Sequence, residues 1–534
     1  MTKKTLWVVL AVAVFALAGC MMAKSSSAPP SVTTPTPVLT PAEVPVLENG
    51  AESTGVRERS DAMYLKHYGV NPTIETTAER FSTFAADVDT GSYALARAYL
   101  ERGSLPAEAA VRVEEFVNAF DYGYRAPERE AFGVQVEAFP SPSRRGYHVL
   151  HLGVKGREVR PADRKPSHLV FTIDVSGSMG IENRLGLVKK ALGLLVNELD
   201  ARDQVSIVVY GDSARLVLSP TPATQKERLL EAIDGLRPEG STNAQAGLEL
   251  AYDVALRAFR PGGINRVILC SDGVANNGIT DAGGIWSRVK AKASEGITLS
   301  TVGFGMGNYN DVLMERLADA GDGNYAYVDK LEEAHRVFVQ NLTGLLQVIA
   351  KDVKLQLEFN PEAVERYRLL GFENRLLDKR DFANDKVDAG EIGAGHSVTA
   401  IYEVKLKKNA PATFATFRAR FKAPEGGQSM LVEKALPASI IRATPGEATG
   451  PARLSLVASG FAEKLRGSYW ARTLSWDQLL AMCDELPPGL RERGDVVELR
   501  RLIATAKRLD GRPDRFEKEA PVAAMDFDRV PVLE

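Results

Sequence analysis

From Ser167 to about residue 350 the chain keeps one rhythm, in which short apolar runs alternate with amphipathic helical stretches. The runs are HLVFTIDVSGS, QVSIVVYGD, RVILCSDG, TLSTVGFG and NYAYVD. Between most of them lie NRLGLVKKALGLLVNELD, TQKERLLEAIDGL, NAQAGLELAYDVALRAF, IWSRVKAKASEG and NDVLMERLADAG, and LEEAHRVFVQNLTGLLQVIA closes the series. Strands that repeatedly give way to helices pair in parallel, because each crossover must return to the same end of the sheet. The rhythm therefore predicts an α/β domain over 167–350, a doubly wound, mostly parallel sheet. Ligands of such sheets bind at the carboxyl ends of the strands, near the point where the strand order reverses.

On both flanks the period changes to two. FGVQVEAF and YHVLHLGVKG precede the α/β segment, and VKLQLEF, SVTAIYEVKL and TFATFRARF follow Lys351. Alternation on either side predicts one β-sandwich-like domain that the α/β domain interrupts. Residues 75–166 then form an α+β region contributing to that sandwich, with helical patterns in ALARAYLERG and AEAAVRVEEFVNAF. Residues 351–445 are its β-rich part, and 446–534 a helical C-terminal region.

Three loops are expected to meet at one edge of the parallel sheet. The first strand ends in Asp174-Val-Ser176-Gly-Ser178, a pre-helix loop carries Gly240-Ser241-Thr242-Asn243, and a later strand ends in Cys270-Ser271-Asp272-Gly273. They offer two carboxylates and several hydroxyls, with no histidine or thiolate placed by this pattern. Hard oxygen donors suit Mg²⁺, with Mn²⁺ or Ca²⁺ as alternatives, and not zinc. A serine-rich helix cap would explain one serine but neither Asp174 nor the SDG strand end.

At these residues the chain resembles the von Willebrand factor type A domains, whose metal-ion-dependent adhesion site joins D-x-S-x-S to a distant threonine and a distant aspartate. The resemblance implies metal ligation by Asp174, Ser176, Ser178, Thr242 and Asp272. It places the three hydroxyls directly on the ion and the two carboxylates largely behind water. An ion held in that way keeps much of its charge and attracts an acidic side chain of a protein partner. More narrowly, DVDTGSY, VRVEEFVNAF and the C-terminal helices resemble the YfbK-like bacterial lipoproteins.

The amino terminus fits that resemblance. Lys3 and Lys4 precede an apolar stretch from Leu6 to Leu17, and Leu17-Ala18-Gly19-Cys20 resembles a lipoprotein cleavage site. An ordinary secretory signal or a membrane anchor are the alternatives. The expectation is a signal peptide over 1–20, lipidation of Cys20, and a Pro/Ser/Thr-rich tether over 21–74. Met21 after the cysteine favours the outer membrane, so the domains would stand outside the cytoplasm in the cell envelope, facing periplasm or surface. Cys270 and Cys483 are expected in the core. A formal charge of −3 without a basic stripe argues against nucleic acid.

Other signals compete less well. SGSMG approximates a nucleophile elbow, but hydrolysis would need a histidine at the same edge, and His335 and His396 lie in a helical run and beyond the domain. Asp89-Thr-Gly-Ser92 matches an aspartic protease signature in a single copy. GFGMG after a strand lacks the third glycine of a dinucleotide loop at the required spacing. His148 and His151 fall on opposite faces of one strand. The reading is a binding protein and not an enzyme, with metal-assisted or serine hydrolysis and envelope scaffolding as alternatives.

Overall fold

A computed structural model describes residues 65–518 and 522, except 87–88, 274–281, 306–309, 388 and 409. Cys20, the signal segment and the tether up to residue 64 lie outside the described residues. The N-terminal segment contributes strands β1 (Ile74–Glu75), β2 (Phe81–Ala85), β3 (Phe132–Pro140) and β4 (His148–Gly156), with helices α1 (Gly91–Glu101) and α2 (Val113–Asn118). The α/β segment follows as β5 (Ser167–Asp174), α3 (Arg184–Glu198), β6 (Gln204–Tyr210), β7 (Ala214–Pro222), α4 (Lys226–Asp234), α5 (Ala244–Arg257), β8 (Ile264–Ser271), α6 (Ala282–Ser294), β9 (Ile297–Phe304), α7 (Asp311–Ala320), β10 (Tyr325–Val328), α8 (Leu331–His335) and α9 (Leu342–Leu346). The chain then returns through β11 (Val348–Phe359), β12 (Val364–Leu370), β13 (Ile392–Gly393), β14 (Ser397–Leu406), β15 (Thr413–Ala423) and β16 (Gly426–Pro437). It ends in α10 (Gly450–Leu465), α11 (Trp476–Asp484), α12 (Pro488–Arg491) and α13 (Gly494–Leu509).

Among the described residues the α/β sheet runs β10-β9-β8-β5-β6-β7, parallel except for the antiparallel edge strand β7. β5 lies in the middle, and its successors go to one side as β6 and to the other as β8, so Asp174 ends the strand at the switch point. Alternate residues of β5 point into separate cores. Leu169, Phe171 and Ile173 pack against α3, while Val170 packs against α5 and, unexpectedly, against Ala94, Leu95, Ala98 and Tyr99 of α1. The opposite side of α1, with Tyr93, Ala96 and Leu100, joins α10, α11 and α13 in a third core. One N-terminal helix thus ties the α/β sheet to the C-terminal helices.

The interrupted sandwich is present. One sheet is β1-β12-β14-β4-β3 and the other β13-β11-β15-β16 with β2 on β11. Their inner faces share one core that includes Leu150, Leu152, Leu355, Leu357, Tyr402 and Phe417. The chain leaves this sandwich after β4 and re-enters at β11, whose first residue, Val348, falls inside the run read as helical.

Two expectations need correction. Residues 65–74, assigned to the tether on composition, are docked in part. The buried Asn71 amide donates to Leu369 O (3.2 Å) and Gly371 O (2.7 Å), and Ile74 pairs with Tyr367 of β12. Those backbone acceptors supply what the composition could not. The strand ARLVLSPTP (β7) is not among the expected strands, because only two of its nine residues are buried and its apolar run is short and followed by prolines, as an edge strand allows. Cys270 and Cys483 are buried and free. No helix among the described residues is long and apolar enough to cross a membrane.

Candidate metal centre

β5 delivers Asp174 fully buried at its last position. Both carboxylate oxygens are engaged: the Ser176 backbone N–H donates to Oδ1 (2.8 Å) and the Ser271 hydroxyl to Oδ2 (2.9 Å). The first bond curls the chain back over the strand end, and a short 3₁₀ stretch over Gly177–Asn183 follows. This turn brings the alternate serines together, with Ser176 Oγ and Ser178 Oγ 3.1 Å apart.

The second loop is fastened to the first by backbone bonds. Gly177 N donates to Gly240 O (3.0 Å), Glu239 N to Val175 O (2.5 Å) and Asn243 N to Gly211 O (3.0 Å). Thr242, half-buried, is carried between these anchors. Asn243 then caps α5 by accepting from Ala246 N (3.1 Å). Asp212 organises the bend, accepting from Ser241 N (2.8 Å). Gly240 has φ +72°, and a Cβ there would sit 2.7 Å from the Asp212 carboxylate, so glycine alone fits. Sequence reasoning missed Asp212, whose signal was its place directly after the β6 strand end.

The third loop sets Asp272, 5% exposed, beyond β8. Its Oδ2 accepts from Arg184 Nη1 at 2.6 Å, and both partners are buried. This ion pair was not anticipated either. Burial, followed by the nearby Asp272 charge, pushes the Asp174 carboxyl up to about 6. The two carboxylates are therefore close enough for the charge of one to disfavour the charge of the other. Among the described residues no group of three or more His, Cys, Asp and Glu could hold a metal. The donors here are instead two carboxylates and hydroxyls, the set that a hard divalent cation takes. Arg184 offsets the charge of Asp272, while Asp174 has only hydrogen-bond donors on its two oxygens and beside it the serine hydroxyls, a set that a hard divalent cation fits.

The competing motifs find structural partners. Asp89 accepts from Tyr325 N (3.0 Å) and Arg375 (3.1 Å), and the Ser92 hydroxyl donates to Ala110 O (2.6 Å), so DTGS is a buried joint. His151 is buried between the Tyr124 hydroxyl and Ser455 Oγ, each 2.8 Å away. Burial pushes it down to about 4, so it is neutral. Among the described residues the Ser176 hydroxyl pairs with Ser178 and with no histidine.

The fold and these loops define a von Willebrand factor type A domain, a protein-interaction module that often carries a metal site, and the model of that domain matches residues 168–341. A von Willebrand factor model also matches 59–151, and one described as uncharacterized protein YfbK, C-terminal, matches 344–509. The chain is 38% identical over 483 residues to the uncharacterized protein YfbK of Escherichia coli K12, covering 85% of this chain and 83% of that one. It therefore belongs to the YfbK family. It is also 27% identical over 191 residues to inter-alpha-trypsin inhibitor heavy chain H2 of Sus scrofa, covering 34% of this chain and 19% of that one. Among solved structures, a von Willebrand factor type A protein from Catenulispora acidiphila is similar with a TM-score of 0.40 and 16% identity, covering 73% of this chain and 98% of that one.

Proposed function

We propose that the chain is a non-enzymatic binding protein. Asp174, Ser176, Ser178, Thr242 and Asp272 hold a divalent cation, Mg²⁺ first and Mn²⁺ or Ca²⁺ as substitutes, and the ion takes an acidic side chain of a protein partner. The observation that carries this reading is the pair of serine hydroxyls at 3.1 Å beside a buried Asp174 whose charge is disfavoured by burial and by Asp272. Such a site is rich in hard oxygen, and Arg184 compensates Asp272 but not Asp174. The second part of the proposal is placement: lipidation at Cys20 would hold the domains off an envelope membrane, through the tether, where a partner is met.

A ligand that binds only the folded state raises its stability by mass action, by about 2.7 kcal/mol at a hundredfold excess over the dissociation constant. Millimolar Mg²⁺ or Mn²⁺ should raise the thermal midpoint of the full chain relative to chelator, and Asp272→Ala should lose that gain. A wild type that melts identically with metal and with chelator would sink the metal reading.

A further inference from the structure

We propose that the joint between α2 and the turn after β12 is a pH-sensitive latch, in which one proton on Glu114 keeps that turn and the 65–74 segment docked. Glu114 lies in the first turn of α2 and is 3% exposed. Its Oε2 accepts from Phe372 N at 2.9 Å, and among the described residues no cation forms an ion pair with it.

The turn pressed against Glu114 is strained. Gly371 has φ +79°, and a Cβ there would lie 2.5 Å from both Glu114 N and Glu114 Oε2. Phe372 follows at φ +64°, a left-handed conformation that a bulky side chain rarely takes. Two contacts hold it there. Its ring is buried in the sandwich core against Phe84, with centroids 4.6 Å apart, and its N–H is on Glu114. The same turn docks the N-terminal segment, because Asn71 Nδ2 donates to Gly371 O (2.7 Å) and Asn71 N to Glu373 Oε1 (3.3 Å).

The surroundings favour the neutral form of Glu114. On α2 itself, Glu115 stands beside it, and Arg112 is drawn to Glu115 (2.7 Å) and to Asp311 (2.5 Å) and Glu315 (3.0 Å) of α7. On the turn, Glu373 is close by, while Arg375 is engaged by Asp89 (3.1 Å) and Glu315 (2.9 Å). Arg466, after α10, is shared between Glu373 (3.0 Å) and Glu463. From the N-terminal side come the exposed Lys66 and His67 with the half-buried Tyr68, and before α2 comes Glu108, paired with Arg515 (2.5 Å). These last groups and Glu114 line a cavity of ≈ 20 Å³, room for one water and a route by which a proton can leave. Burial, then the charges of Glu373 and Glu115, push the Glu114 carboxyl up to about 7.

Raised above its ordinary 4.5, Glu114 keeps a proton when docked that it gives up when the joint opens. The contribution of that proton is fully present below pH 4.5 and is lost as pH rises through about 7. Above that, a buried carboxylate beside two others is drawn to the water at the cavity mouth, which releases Phe372 N and loosens the turn.

Hydrogen exchange of the full chain, expressed as protection relative to the intrinsic rate at each pH, reads the latch. Protection of 66–75 and 369–375 should fall roughly tenfold or more from about pH 5.5 to about pH 8.5, while α13 keeps its protection. Glu114→Gln, which still accepts from Phe372 N but cannot ionise, should hold its protection within about threefold over the same range. Glu373→Gln removes one repelling charge and leaves Glu114 in place, so it should move the midpoint of the fall to lower pH. Wild-type protection of 66–75 and 369–375 that does not change with pH overturns the proposal. So does a Glu114→Gln chain that loses protection as wild type does, a Glu373→Gln midpoint that does not move, or a fall of equal size in α13.

Discussion

Two buried carboxylates in this molecule are shifted in opposite directions. Glu463 of α10 sits where the C-terminal helices meet the sandwich, between Arg368 (3.2 Å) and Arg466, and it also accepts from Ser468 Oγ (2.6 Å). Burial alone would raise it, but the two guanidiniums outweigh burial and hold it at about 2. Asp174 is equally buried, yet burial and Asp272 together raise it to about 6. At the joint, charge is matched; at the sheet edge, it is left short by a cation. The joint around α2 is different again: Arg112 meets three carboxylates, Glu115 (2.7 Å), Asp311 (2.5 Å) and Glu315 (3.0 Å), and burial raises Glu115 and Glu315. The Glu463 cluster fastens the C-terminal helices to the sandwich, whereas Asp174 sits among hydroxyls and a second carboxylate, where a divalent cation would be held.

The largest effect should come from breaking the matched side. Arg368 of β12 also holds Glu403 at 2.8 Å, and Arg144 joins that carboxylate at 2.6 Å. Arg368→Met would leave Glu463 and Glu403 underpaired in the interior, at a cost of about 3–5 kcal/mol. Urea unfolding of the full chain should show it as a lowered midpoint. A loss below about 1 kcal/mol would mean that the joint is not held by these charges and would break the comparison.

Much of this contrast was readable beforehand only on the unmatched side. Asp174, Ser176 and Ser178 are close in sequence and follow an apolar strand, so local geometry announces them. The sandwich was readable because both inner faces alternate. By contrast, Arg184 and Asp272 are joined across a helix start and a strand end, a pairing with no period to reveal it. α1 is buried on nearly every side, between two cores, so it lacks the polar face that would have told where it packs. The docking of Asn71 depends on two backbone carbonyls nearly three hundred residues away. Long-range polar pairing is where pattern reading stops.

A smaller effect, opposite in sign on the two sides, sharpens the comparison. Glu463 is depressed from an ordinary 4.5 to about 2, so its stabilisation is complete above pH 4.5 and is lost as pH falls through 2. Glu463→Gln should cost on the order of 3 kcal/mol at pH 7, and its stability should fall less steeply than that of wild type between pH 4.5 and 2. Asp174 is raised above its ordinary 3.8, so its charge is a burden to the metal-free fold at pH 7. Asp174→Asn should therefore be neutral or gain up to about 2 kcal/mol in chelator, while losing the metal response. Denaturant midpoints at pH 7 read both. Destabilisation of equal size by the two substitutions would erase the distinction between matched and unmatched charge.

The smallest effect is expected at the rim of the metal face, where Arg215 of β7 meets Glu239 at 2.7 Å with both side chains 53% exposed. Water screens such a pair, and holding two long side chains in register offsets most of its attraction, so Arg215→Ala should change stability by no more than about 0.5 kcal/mol. The loop beneath does not depend on it, because Glu239 is anchored through its backbone N–H to Val175 O at 2.5 Å. Arg215→Ala should consequently keep the full thermal gain from Mn²⁺, measured beside Asp272→Ala, which should lose it. If the rim substitution erased the gain as well, the charge governing the ion would extend over the exposed surface of β7, and the buried hollow would no longer be its sole source.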